Sequence, residues 1–167
     1  MRLGELLGED RTALPYELLH WFGDSKVRDQ EGHPLLVYHG TSNPNFKRFK
    51  VRGGLGGSLG FWFASSQAAA QQFAKPRFAG IQPGVKACVL RIVQPKEFDG
   101  YPDFVQAVQA RMKGGDIEEG MRSLRLSLRR AGYDGIVIRN SDTDMGGMRD
   151  DWVAFDPGQI QELPQVP

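Results

Sequence analysis

Five short apolar runs punctuate the chain: LLVYH (35–39), GFWFA (60–64), KACVLRIVQ (86–94), GIVIRN (135–140) and DWVAFD (151–156). Each is too short for a core helix and is flanked by glycine, proline or small polar residues, so each reads as a strand. Helical stretches fall between and before them. Leu14, Leu18, Leu19 and Phe22 share one helical face, with Pro15 tolerable in the first turn and Gly23 a natural stop. SSQAAAQQFA (65–74) has a serine N-cap candidate and Pro76 beyond its end, DFVQAVQARM (103–112) is helical, and GMRSLRLSLRRAG (120–132) is amphipathic and closed by Gly132. Strands interleaved with helices in this way predict an α+β domain whose sheets carry a cleft.

A chain of 167 residues can bury one continuous core without metals or disulfides, so a single domain spanning 1–167 is expected. Within it we expect an N-terminal helical segment (1–23), a core (24–160) and a peripheral tail (161–167). The 21 Lys and Arg nearly cancel the 20 Asp and Glu, so any polyanion site must be local. Cys88, the single cysteine, lies inside ACVLRIV and reads as a buried small hydrophobe. No apolar run approaches bilayer length and the N-terminus lacks a signal peptide's apolar centre, which predicts a cytoplasmic protein without membrane contact.

Chemistry-bearing residues gather in three places. His39 and Gly40 stand at the end of the first strand, where the ring can offer an N–H and the glycine admits a flat ligand. The same histidine can equally be a core residue bonded to a neighbouring carbonyl. Trp62 and Phe73, on the second strand and the helix after it, can converge as two plates or remain unrelated core aromatics. GGLGGSLG (53–60) lacks the Gly-Lys-Ser/Thr ending of a phosphate loop and precedes a strand, which excludes a nucleoside-triphosphate site of that type. Asp150 and Asp151 open the last strand.

Taken in order, YHGT (38–41), GFWF (60–63), a downstream aromatic and an acid before an apolar strand resemble the ADP-ribosyltransferases related to diphtheria toxin and the poly-ADP-ribose polymerases. The resemblance is closer to the ADP-ribosyltransferase domains of phage polyvalent proteins. It rests on WFGDSKV (21–27), PLLVYHGT (34–41), GFWF (60–63) and WVAFDPGQI (152–160), and covers nearly all of the chain beyond residue 20. It implies a split β-sheet core with peripheral helices around an NAD+ cleft. His39 would bond the adenosine ribose and the Gly40 backbone the nicotinamide carboxamide, with Thr41 and Phe63 beside them. Trp62 falls where the family has its motif tyrosine, and Phe73 supplies the second aromatic, so nicotinamide would lie between the two. The glycine run becomes a mobile flap over the dinucleotide. Arg48 and Arg52, with Lys47 and Lys50, are the candidates for the pyrophosphate.

One position departs from the family. Asp151 stands where a glutamate is usual, and it is shorter by one methylene, about 1.5 Å of reach. Asp150 is the second choice. The resemblance implies a transferase that cleaves the nicotinamide–ribose bond of NAD+, needs no metal, and passes ADP-ribose to a macromolecular acceptor in a bacterial host, a protein rather than a nucleic acid. Water as acceptor would make it an NAD glycohydrolase. Two alternatives stand beside this: an NAD-binding module without turnover, and an RNA 2′-phosphotransferase using Arg122, Arg125, Arg129 and Arg130.

Overall fold

Each of the five apolar runs forms a strand, and two strands not expected from the sequence complete the sheet. The computed structural model describes residues 15–51, 56–141 and 149–164. In order come α1 (Tyr16–Phe22), β1 (Val37–Thr41), β2 (Phe61–Ala64), α2 (Gln67–Phe73), β3 (Gly84–Leu90) and β4 (Pro95–Asp99). Then follow α3 (Gly100–Gln109), α4 (Ile117–Arg130), β5 (Gly135–Arg139), β6 (Asp151–Ala154) and β7 (Ile160–Glu162). Ser66 caps α2 by accepting from the Ala69 N–H at 3.3 Å, and Asp116 caps α4 by accepting from the Glu119 N–H at 3.1 Å. The fold is α+β, as expected. Leu14 and the rest of 1–14 lie outside the described residues.

The strands form one mixed sheet in the order β4-β5-β6-β2-β1-β3-β7. β4 and β5 run parallel, and the other neighbours are antiparallel. The sheet is almost divided in two. β1 pairs with β3 at five positions and β2 with β6 at four, whereas β1 meets β2 only where Tyr38 faces Ala64. Beyond that pair the two strands part.

Side-chain alternation sorts the core into layers. On one face, Phe22 of α1 and Ala69 and Ala70 of α2 cover Tyr38, Ala64 and Val89. Alongside, Phe104, Val108, Leu124 and Leu128 of α3 and α4 cover Ile136, Ile138 and Val153. The opposite face packs Val37, Phe63, Cys88 and Trp152 against Val27 and Phe49.

Two of the sequence blocks prove to be structural staples. In WFGDSKV, buried Ser25 donates to the Leu90 carbonyl at 2.7 Å and accepts from the Val27 and Ile92 N–H groups, tying the N-terminal segment to β3. In WVAFDPGQI, the Gln159 amide oxygen accepts from the N–H groups of Phe155 and Asp156 while its nitrogen donates to the Arg91 and Asp134 carbonyls. That single side chain closes the turn after β6 onto the ends of two other strands.

Two expectations need correction. PKEFD (95–99) was not read as a strand because its charges and proline hide the pattern; it is the edge strand β4, with only Phe98 buried and Pro95 at its first residue, where no ladder bond is lost. The tail was expected to be peripheral from 161, yet Gln161 and Glu162 pair alongside β3 as part of β7, and Leu163 is buried. Burying Lys86 draws Glu162 in, because the ammonium needs an anion; the two meet at 2.5 Å.

Candidate active site

Where β1 and β2 part, a hollow of about 610 Å³ opens between α2 on one side and α3 and α4 on the other. The register places Tyr38, Gly40, Trp62, Ala64 and Asp151 on the helix-covered face, and His39 and Phe63 on the opposite one. The gap lets residues of both faces line the same hollow.

His39 sits in an aromatic nest, with ring centroids 5.2 Å from Phe49, 5.5 Å from Phe63 and 6.3 Å from Phe46. Its Nδ1 lies 2.8 Å from the Trp62 carbonyl oxygen. A carbonyl only accepts, so Nδ1 carries the hydrogen and Nε2 is left with a lone pair. Burial holds the imidazole below its usual range, opposed by the bond to Trp62 and reinforced by the charge of Lys86. The ring is therefore neutral near pH 7, an acceptor suited to a hydroxyl. The two readings of this histidine converge: it is bonded to a neighbouring carbonyl, and it lines the hollow.

Gly40 is required for a reason other than ligand access. A Cβ there would lie 2.0 Å from the Ala70 carbonyl oxygen, so only glycine lets α2 sit against β1. Trp62 is steered by the end of the glycine run: its Nε1 donates to the Gly56 carbonyl at 3.0 Å, and its ring meets Phe104 edge-on at 5.7 Å. The expected flap, 53–60, lies partly outside the described residues, at 53–55. Its remainder is anchored, with Leu59 fully buried, Ser58 donating to Glu118 at 3.0 Å, and Gly60 at a φ of 156° where a Cβ would strike the Ala154 carbonyl. Phe73 lines the hollow from α2 and is 54% exposed.

Asp151 opens β6 opposite Ala64 and is 5% exposed. Arg149, equally buried, donates from Nε to its Oδ1 at 2.9 Å. Burial pushes the Asp151 carboxyl above the ordinary carboxylate range; the charge and hydrogen bond of Arg149 and the hydroxyl of Ser141 pull it part of the way back. Asp150 is committed elsewhere, accepting from Arg139 at 2.9 Å and from the Asn140 N–H at 3.1 Å, and it does not line the hollow.

Other candidates stand apart. The Thr41 hydroxyl is engaged with Asn43 in the turn after β1 and lies outside the lining. Phe63 lines the hollow, but its ring is buried in the core at 2% exposure. Arg48, Lys47 and Lys50 are exposed and outside the lining, and Arg52 lies outside the described residues. None of the α4 arginines lines the hollow: Arg122 pairs with Glu118 and Glu119, Arg129 with Asp156, and Arg125 donates to the Phe155 carbonyl. Asp29, Glu31 and His33 bring ligand atoms within 4.8 Å of one another on the surface, where the Asp29 carboxylate already closes the local turn.

Sequence reasoning missed Tyr101 and Arg149. Tyr101 lines the hollow from the first turn of α3, and burial raises its phenol with the Asp151 charge adding to the effect. Nothing in the local pattern around residue 101 announces this, whereas Arg149 was legible: residues two apart entering a strand share a face. Among the described residues no helix is long and apolar enough to cross a membrane.

No curated protein shows significant sequence similarity to the chain. Among solved structures, a crystal structure of an anti-CRISPR protein matches over 77% of this chain and 94% of its own, at 14% identity and a TM-score of 0.39. The family described as ADP-ribosyltransferase in polyvalent proteins matches residues 29–164. With that match spanning the split sheet, the hollow and Asp151, the chain belongs to the ADP-ribosyltransferases of polyvalent proteins.

Proposed function

We propose that the protein cleaves the nicotinamide–ribose bond of NAD+ and transfers ADP-ribose to a macromolecular acceptor, a protein of a bacterial host cytoplasm. The observation that carries this reading is the shared hollow: Asp151, Trp62, Phe73, Gly40 and His39 line one cavity although they come from four elements and both faces of the sheet. Family membership supports ADP-ribosyl transfer. In this reading nicotinamide lies between Trp62 and Phe73, where each stacked ring contributes on the order of 1 kcal/mol, helped by the positive charge of the pyridinium. The neutral His39 accepts a hydroxyl of the adenosine ribose at Nε2.

Loss of nicotinamide as a neutral leaving group leaves positive charge on the ribose, as in glycoside cleavage. A carboxylate fixed beside that ribose favours the transition state over the ground state, which is what accelerates the step. Asp151 has this role here, and an acceptor nucleophile then forms the bond to C1 of the ribose. Phe104, Val108 and Met121 give the hollow an apolar wall, and an acceptor that displaced water from it would favour transfer over hydrolysis. The pyrophosphate is left to the hollow's rim, because no lysine or arginine is among the lining residues described.

The test is direct. Purified protein with labelled NAD+ and a bacterial lysate should label a macromolecule and release nicotinamide, and Asp151→Asn should lower both by roughly 100-fold while leaving NAD+ affinity largely intact. NAD+ binding without turnover by the wild type would replace the enzyme with a binding module; no NAD+ binding would end the reading altogether.

A further inference from the structure

Three buried polar side chains meet at the entry to β6. Ser141, Arg149 and Asp151 are 0%, 5% and 5% exposed. The Arg149 guanidinium bonds Asp151 at 2.9 Å, and the Ser141 N–H donates to the Arg149 carbonyl at 2.7 Å. A carboxylate alone in such a place would take up a proton rather than remain charged. A guanidinium stays protonated at every accessible pH, so it is the partner that can keep the anion. The pair is also polarised relative to the hollow: Asp151 is part of the lining and Arg149 is not. Other groups acting on Asp151 are Ser141, which favours the anion and whose hydroxyl also lies 3.2 Å from the Ile138 carbonyl oxygen, and Asp150, which disfavours it and has Arg139 as its own partner. From α3, Tyr101 lines the same hollow, and the Asp151 charge helps to raise its phenol.

We propose that Arg149 is a positioning residue for Asp151: it holds the short carboxylate as an anion in one orientation, with the negative end of the buried pair turned to the hollow. The proposal rests on the NAD+ reading above. The cation offsets part of the attraction between Asp151 and a developing positive charge. Without it the carboxylate would hold a proton up to a higher pH and would attract that charge far less, so retention of Arg149 is the favourable arrangement.

The experiment follows the Asp151 carboxyl carbon by NMR against pH, in protein labelled at aspartate carboxyls and assigned with D151N, beside kcat and KM for NAD+ cleavage. In R149Q the Asp151 titration should move to higher pH. Its kcat should fall roughly 100-fold at neutral pH and recover as pH rises, with KM changed less. R149K, which keeps the charge, should titrate near the wild type and regain part of kcat. Adding R149Q to D151N should cost nothing further. An Asp151 titration unmoved in R149Q, or a kcat loss equal at every pH and repeated in the D151N background, would overturn the proposal. Should R149Q fail to fold, R149K decides alone: a wild-type titration with part of kcat retained supports the role, and kcat lost to the level of D151N with an unchanged pH profile refutes it. A wild type that does not turn over NAD+ sinks the enzymatic reading, while the carboxyl titration still reports whether Arg149 holds the anion.

Discussion

His39 donates from Nδ1 to the backbone carbonyl of Trp62 over 2.8 Å, spanning the gap between two strands that pair at a single position. The bond gives the divided sheet a polar tie at the site itself and turns Nε2 into an acceptor. His39→Gln should retain the fold and weaken NAD+ binding roughly 10-fold, read by calorimetry. A sign follows for stability. The folded ring resists protonation while the unfolded ring protonates near pH ~6.5, so stability is lost as pH falls through that value. Melting curves between pH 5 and 8, compared with His39→Gln, should show that slope only in the wild type.

Gly40 makes a prediction that separates packing from ligand contact. A methyl group 2.0 Å from the Ala70 carbonyl oxygen forces α2 away from β1, so Gly40→Ala should destabilise the protein by about 1–3 kcal/mol. Urea denaturation measures it, and a wild-type midpoint would show that α2 yields freely.

Phe73 and Trp62 should respond differently to truncation. Phe73 is 54% exposed, so Phe73→Ala should leave stability within about 0.5 kcal/mol while lowering NAD+ affinity roughly 10-fold. Trp62→Ala should lose affinity and stability together, since its ring also packs on Phe104 and its N–H holds Gly56. Paired melting and binding measurements separate the two.

Cys88 is fully buried on β3, and burial pushes its thiol up to about 12. At pH 8 a thiol reagent should modify native protein only as fast as the molecule opens, and unfolded protein at once. Rapid native labelling would mean that the centre of the sheet is looser than its packing implies.

Much of the lining of the hollow was legible in the sequence. YHGT and GFWF brought His39, Gly40 and Trp62 forward, and the helix after β2 supplied Phe73, because each motif lies on an element whose period is local. The outer blocks were legible as text but not as physics. Nothing in WFGDSKV says that Ser25 would bond β3, or in WVAFDPGQI that Gln159 would close a turn onto two strands, since those partners are 65 and 68 residues away in Leu90 and Arg91. β4 was invisible because an edge strand needs only one buried face and tolerates the charges and proline that mask alternation.

What the amino-acid order determined by itself was five of the seven described strands, the four helices, the near-neutral charge, and a carboxylate at the head of the last long strand, Asp151. What only the tertiary structure decided was that β1 and β2 join at Tyr38 and Ala64 and then separate, that Arg149 and Asp151 are buried where they pair, and that the His39 hydrogen sits on Nδ1. The reason is physical. Periodicity and propensity act between neighbours along the chain, whereas an unpaired strand edge, a buried ion pair and a ring's tautomer are each settled by groups that folding alone brings within a few ångströms.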